Sequence, residues 1–128
     1  MQRGEARRYR GLTLRVLGAA APVMGPGKAE LIERIGQTGS ISAAARAMGM
    51  SYRRAWQLVE ALNATYREPV VITAVGGQHG GGAKVTPQGK RLAALFRCME
   101  RKASAAIAAD LRRYDGFLRA AAKRRALR

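Results

Sequence analysis

One cysteine, one histidine and eight acidic residues are all that this 128-residue chain holds of several side chains on which catalysis and metal binding commonly depend. Cys98 alone excludes an internal disulfide, and with only His79 to help it a Cys/His zinc site is excluded as well. Cys98 reads most simply as a small core residue. Nothing near His79 supplies a second metal ligand or a nucleophile to activate, so it is expected in solvent or as a weak phosphate contact. Glu30 and Glu33 share a helix face rimmed by Lys28 and Arg34, which makes them surface ion-pair partners and not an acid/base pair. No enzyme, metal or cofactor is expected.

Long apolar runs are missing too. No stretch approaches the ~20 residues that span a bilayer. Arg15 interrupts the apolar region after the basic start, a poor pattern for a signal peptide. A cytoplasmic protein without a membrane partner is expected.

What the chain does have is positive charge. Lysine and arginine number 24, for a formal charge of +16. That is far more than solubility needs, and its self-repulsion calls for a polyanionic partner. Hydrophobic residues make up 48%, many of them alanine, so the chain should fold, chiefly into helices. Its length suits one domain with extensions. No internal repeat is visible.

Residues 1–10 read as a flexible basic arm. Leu12, Leu14 and Val16 alternate with Thr13, Arg15 and Leu17, as in a half-buried strand of about six residues. Residues 19–27, with two prolines and two glycines, read as a connector. A helix is expected from Lys28 to Ile35, ending at Gly36 or Gly39. Ser40 and Ser42 are alternative N-caps for a short second helix that ends at Gly49. Ser51 caps a third helix, whose apolar face is Ala55, Val59 and Leu62. Two helices joined by a short glycine-containing turn make a helix-turn-helix, which presents the start of its second helix outward. That places Arg53, Arg54 and Gln57 on a free face beside a helix N-terminus. Gln57 suits adenine, because its amide donates and accepts at once, and Trp56 suits the core edge. Tyr52 fits equally as a partly buried packing residue or a phosphate contact.

After Pro69, "VVITAV", a glycine loop and "KVT" read as a hairpin with a long tip, the wing. The loop lacks the Gly-Lys-Ser/Thr ending of a nucleotide-binding loop and does not run straight into a helix. Thr86 caps a long helix with Pro87 at its first position. Leu92, Leu95, Phe96, Met99, Ala103 and Ile107 trace its apolar stripe. The stripe outlasts what a three-helix core can cover, so a second copy is expected against it. The expected organisation is a basic arm at 1–10, a winged helix-turn-helix at 11–86, a dimerisation helix at 87–115 and a basic tail at 116–128.

The motifs "GSIS" (39–42), "SYRRAW" (51–56) and "GGQHGGGAKVTPQG" (76–89) resemble the DNA-binding domain of ModE-type molybdate-responsive transcriptional regulators, itself similar to the LysR-type N-terminal domain. The match spans roughly residues 12–108. The resemblance implies a mainly α winged helix-turn-helix that dimerises through its long helix on inverted-repeat operators. Full-length members continue into a molybdate-binding domain, and this chain stops at Arg128 without one, so molybdate binding is not expected of it. The expected DNA contacts are Ser40, Ser42, Ser51, Tyr52, Arg53, Arg54, Gln57, His79 and Lys84, helped by the terminal arginines. Double-stranded DNA and a second copy are the expected partners. The alternative is a sequence-indifferent nucleoid or RNA-binding protein that works by charge alone.

Overall fold

The computed structural model describes residues 11–74 and 82–123. The basic arm, the hairpin tip with His79, and the last five residues lie outside the described residues. The chain divides into two compact units, Arg15–Arg97 and a unit of Met1–Leu14 with Cys98–Arg128.

In the first unit, β1 (Val16–Leu17) pairs antiparallel with β2 (Pro22–Met24). Two features correct the sequence reading here. The six-residue strand shrinks to two paired residues, and the expected connector supplies the partner strand. Prolines and glycines flag breaks in periodicity, but Pro22 sits at a strand end, where a missing N–H is tolerated. Met24 is buried.

Helix α1 (Pro26–Thr38) begins with proline at its first turn, two residues before the expected start. It stops at Gly39, whose φ of +71° few other residues adopt without strain. Leu31, Ile32 and Ile35 are its buried face, each at most 2% exposed. Helix α2 (Ile41–Met48) is capped by Ser40 and ends at Gly49, with φ of +69°. Helix α3 (Tyr52–Thr65) follows after Gly49, Met50 and Ser51. It buries Ala55, Val59 and Leu62. Helices α1 and α2 pack together, as do α2 and α3.

Strands β3 (Val71–Thr73) and β4 (Ala83–Val85) form the second hairpin, in the register Val71↔Val85, Ile72↔Lys84 and Thr73↔Ala83. β4 also packs on α1. Val70, Val71 and Ala83 face the core, while Ile72 and Lys84 face out, which is the period-two alternation of a one-sided sheet.

Helix α4 (Pro87–Ala106) opens with Thr86 as its cap: the Thr86 hydroxyl accepts from the Gly89 N–H at 3.0 Å and donates to the Pro69 carbonyl at 2.6 Å. Its inward face is Gly89, Ala93 and Phe96, at helical spacing. Phe96 is therefore not available to a second copy as the sequence reading expected, since at 1% exposure it closes its own domain's core. Spacing alone could not separate the two faces of α4. Arg97 forms a two-pronged ion pair with Glu33 of α1, at 3.1 and 3.0 Å. Glu33 is thus an ion-pair partner, as expected, but of a residue distant in sequence; Glu30 pairs locally with Arg34, at 3.4 Å.

In the second unit, the expected single helix 87–115 is divided. Ile107 departs from helical geometry (φ −108°, ψ 10°), and α5 (Ala108–Asp115) starts after it. A β-branched residue is a weak helix former, and the break puts Asp110 in the first turn of a new helix, where its charge is favoured. A short 3₁₀ turn covers Ala120–Ala122. No side chain is fully buried among the described residues 11–14 and 98–123. Cys98 is half-buried, and Phe117 is 87% exposed.

Candidate nucleic-acid interface

The chain positions five of the expected contact residues at the start of α3. Ser51 has extended backbone, and its hydroxyl oxygen accepts from the Arg54 N–H at 3.0 Å, which fixes where the helix begins. Its hydroxyl proton remains able to reach an acceptor such as phosphate. Because Ala55, Val59 and Leu62 face the core, helical spacing turns Arg53, Arg54 and Gln57 outward, and all three are exposed. Tyr52 is 56% exposed, so much of its ring and its hydroxyl are open to a ligand. Trp56 is half-buried at the edge of the apolar face.

The exposed line of α3 continues from Gln57 to Glu60, Ala61 and Ala64. Glu60 sits about one turn beyond Gln57, so the helix is basic at its N-terminal end and acidic farther along. The helix dipole has the same sense, positive at the N-terminus. Both draw an anion to the first two turns.

Ser40 and Ser42 are committed partly to each other. The Ser40 oxygen accepts from the Ala43 N–H at 3.1 Å, and the two hydroxyl oxygens are 3.2 Å apart. One of their two protons is used inside that pair. Lys84 lies elsewhere in sequence, but the Ala83 N–H donates to the Gly39 carbonyl at 2.9 Å. That bond holds the tip-side end of β4 against the corner that carries Ser40, with Lys84 exposed beside it. His79 lies outside the described residues.

Two residues that position this surface escaped the sequence reading. Asn63, near the end of α3, accepts from the Val70 and Val71 N–H groups at 2.8 and 3.2 Å and donates to the Val71 carbonyl at 2.9 Å. It ties α3 to the hairpin. The Tyr66 hydroxyl donates to the Val23 carbonyl at 2.8 Å, tying the end of α3 to β2, and its burial raises its pKa. An asparagine inside a helix, where it is a poor helix former, was the one available signal. Arg46 is a further exposed cation, in the last turn of α2.

Among the described residues there is no group of three His, Cys, Asp or Glu side chains that could hold a metal ion. Nor is any described helix long and apolar enough to cross a membrane.

The fold and surface define a small, mostly helical domain with two short antiparallel hairpins and a cationic helix end clear of its core. No family model matches the chain. It is similar to the molybdenum-pterin-binding protein MopB of Rhodobacter capsulatus, at 46% identity over 96 residues, which is 75% of this chain and 34% of MopB. The molybdenum transport protein ModE of Azotobacter vinelandii is 39% identical over 70 residues, 55% of this chain and 26% of that one. The DNA-binding transcriptional dual regulator ModE of Escherichia coli K12 is 38% identical over 71 residues, 56% and 27%. The chain thus spans about a third or less of the length of these relatives. The names of these relatives describe binding, transport and regulation, not enzymes, and they support kinship with ModE.

Proposed function

We propose that the chain is a winged helix-turn-helix that binds double-stranded DNA as a homodimer and regulates transcription in connection with molybdenum. The observation that carries this reading is the start of α3: Arg53, Arg54 and Gln57 stand exposed on one side, while the other side is held in the core. A helix so mounted enters a major groove by its N-terminal turns, and guanidinium and amide groups are the side chains that read guanine and adenine edges there. Ser51, Tyr52 and Lys84 carry hydroxyl and ammonium donors suited to phosphate oxygens, which fixes register without reading sequence. The relatives named as transcriptional or DNA-binding regulators support the same reading.

Dimerisation is supported by α4, where Leu95 is 60% and Met99 37% exposed on a helix that extends beyond the core of the first unit. In such a dimer the two α3 helices stand roughly 34 to 36 Å apart, one turn of B-DNA.

Selection of duplexes from a random pool, followed by footprinting, tests the reading. Arg54→Ala is expected to cost about 1–3 kcal/mol on the selected site and to relax preference at one base pair. An equal loss on selected and random duplexes would remove the base-reading role. One observation favours the sequence-indifferent alternative, the net charge of +16. It requires that no site exceed random DNA by ~1000-fold.

A further inference from the structure

The described residues 98–123 carry a lopsided surface. Arg101, Lys102, Arg112, Arg113, Arg119 and Lys123 are all exposed. Of the three acids in the same stretch, Glu100 and Asp115 are half-buried, which leaves Asp110 as the one exposed negative charge, in the first turn of α5. Solvated helix faces normally mix the two signs more evenly than six exposed cations to one exposed acid. The α5 dipole accounts for Arg112 and Arg113 in its last turn, but Arg119 and Lys123 lie outside any α-helix. Nor does this surface serve a core, since no described side chain here is fully buried. Cations held apart from acids and from packing are suited to an external polyanion.

We propose that this unit is a phosphate-gripping surface for double-stranded DNA, which adds backbone affinity to the base reading that α3 supplies. The inference rests on the DNA reading above. Double-stranded DNA is favoured over an anionic membrane because the same chain exposes Arg53, Arg54 and Gln57 in its other unit, and an amide reader has no use on a lipid surface.

Each phosphate contact releases condensed counterions, so its loss lowers the slope of log affinity against log salt by about 0.9. The full-length variant Arg112→Gln/Arg113→Gln/Arg119→Gln is therefore expected to bind with a slope smaller by up to about 2.7 for each bound protomer, about 5.4 for a dimer, and with the selected-to-random affinity ratio unchanged. The matching lysine variant, Arg112→Lys/Arg113→Lys/Arg119→Lys, keeps the charge and is expected to keep the slope. Circular dichroism establishes that each variant is folded. An unchanged slope in the folded glutamine variant overturns the proposal, as does an unchanged slope together with lost binding to phosphatidylserine vesicles, which assigns the surface to lipid. A wild-type chain with no preferred site, yet with the slope change intact, would instead overturn the reading of α3 and leave this surface standing.

Discussion

Asn63 grips Val71 by both backbone polar groups: its amide nitrogen donates to the Val71 carbonyl at 2.9 Å and its amide oxygen accepts the Val71 N–H at 3.2 Å. The same oxygen takes the Val70 N–H at 2.8 Å. Val70 and Val71 are at most 2% exposed, so a lost partner here is not readily replaced by water. Asn63→Ala leaves two donors and an acceptor stranded and is expected to destabilise by about 3 kcal/mol or more, at 1–3 kcal/mol for each unsatisfied group. Asn63→Asp keeps the acceptor and loses only the donor, so its melting temperature should fall between those of wild type and the alanine variant. Equal melting of all three would show that the clamp holds nothing.

Gly89 lies where α4 crosses the start of β3. A Cβ there would come within 2.4 Å of the Val70 carbonyl oxygen and 2.8 Å of a Val85 methyl. In an exposed helix glycine to alanine stabilises by roughly 0.5–1 kcal/mol. Here overpacking reverses the sign, and Gly89→Ala is expected to lose about 1–3 kcal/mol in chemical denaturation. A stabilised variant would refute the close approach.

Tyr66 makes stability depend on alkaline pH. Burial raises its pKa above the unfolded value, so the neutral hydroxyl, which donates to the Val23 carbonyl, is the form the fold prefers. That contribution is complete at neutral pH and is lost as the pH climbs above about 10, through the raised folded value. Tyr66→Phe should cost about 1 kcal/mol at pH 7, and the gap between the two proteins should narrow above pH 10. A gap independent of pH would contradict the assignment.

Leu95 tests the dimer apart from the fold. Because it is 60% exposed in the protomer, Leu95→Glu should leave the secondary structure intact. If a second copy covers it, sedimentation equilibrium should show the variant as a monomer at concentrations where wild type is a dimer, since burying an unpaired carboxylate is costly. Two species of the same mass would exclude Leu95 from any dimer contact. Phe96→Ala is the contrasting case. It should cost about 3–5 kcal/mol of protomer stability, because its ring is in the core.

Much of the helical half was legible from local chemistry. Ser51 before Tyr52, Gly49 where positive φ was needed, and Thr86 before Pro87 mark helix ends, because caps and left-handed turns depend on residues adjacent in the chain. The spacing of Ala55, Val59 and Leu62 fixed which side of α3 faces inward, and so which side carries Arg53, Arg54 and Gln57. Less of the rest was legible. Phe96 and Leu95 are neighbours on one apolar stretch, yet one is core and the other surface, and only the tertiary packing around α4 separates them. The partner of Glu33 proved to be Arg97, 64 residues away, and no local charge pattern points that far. Likewise Pro22–Met24 became a strand only because β1 lies beside it. What one turn of chain can satisfy by itself was written in the amino acids; what needed a distant backbone or side chain to complete it was decided by the fold.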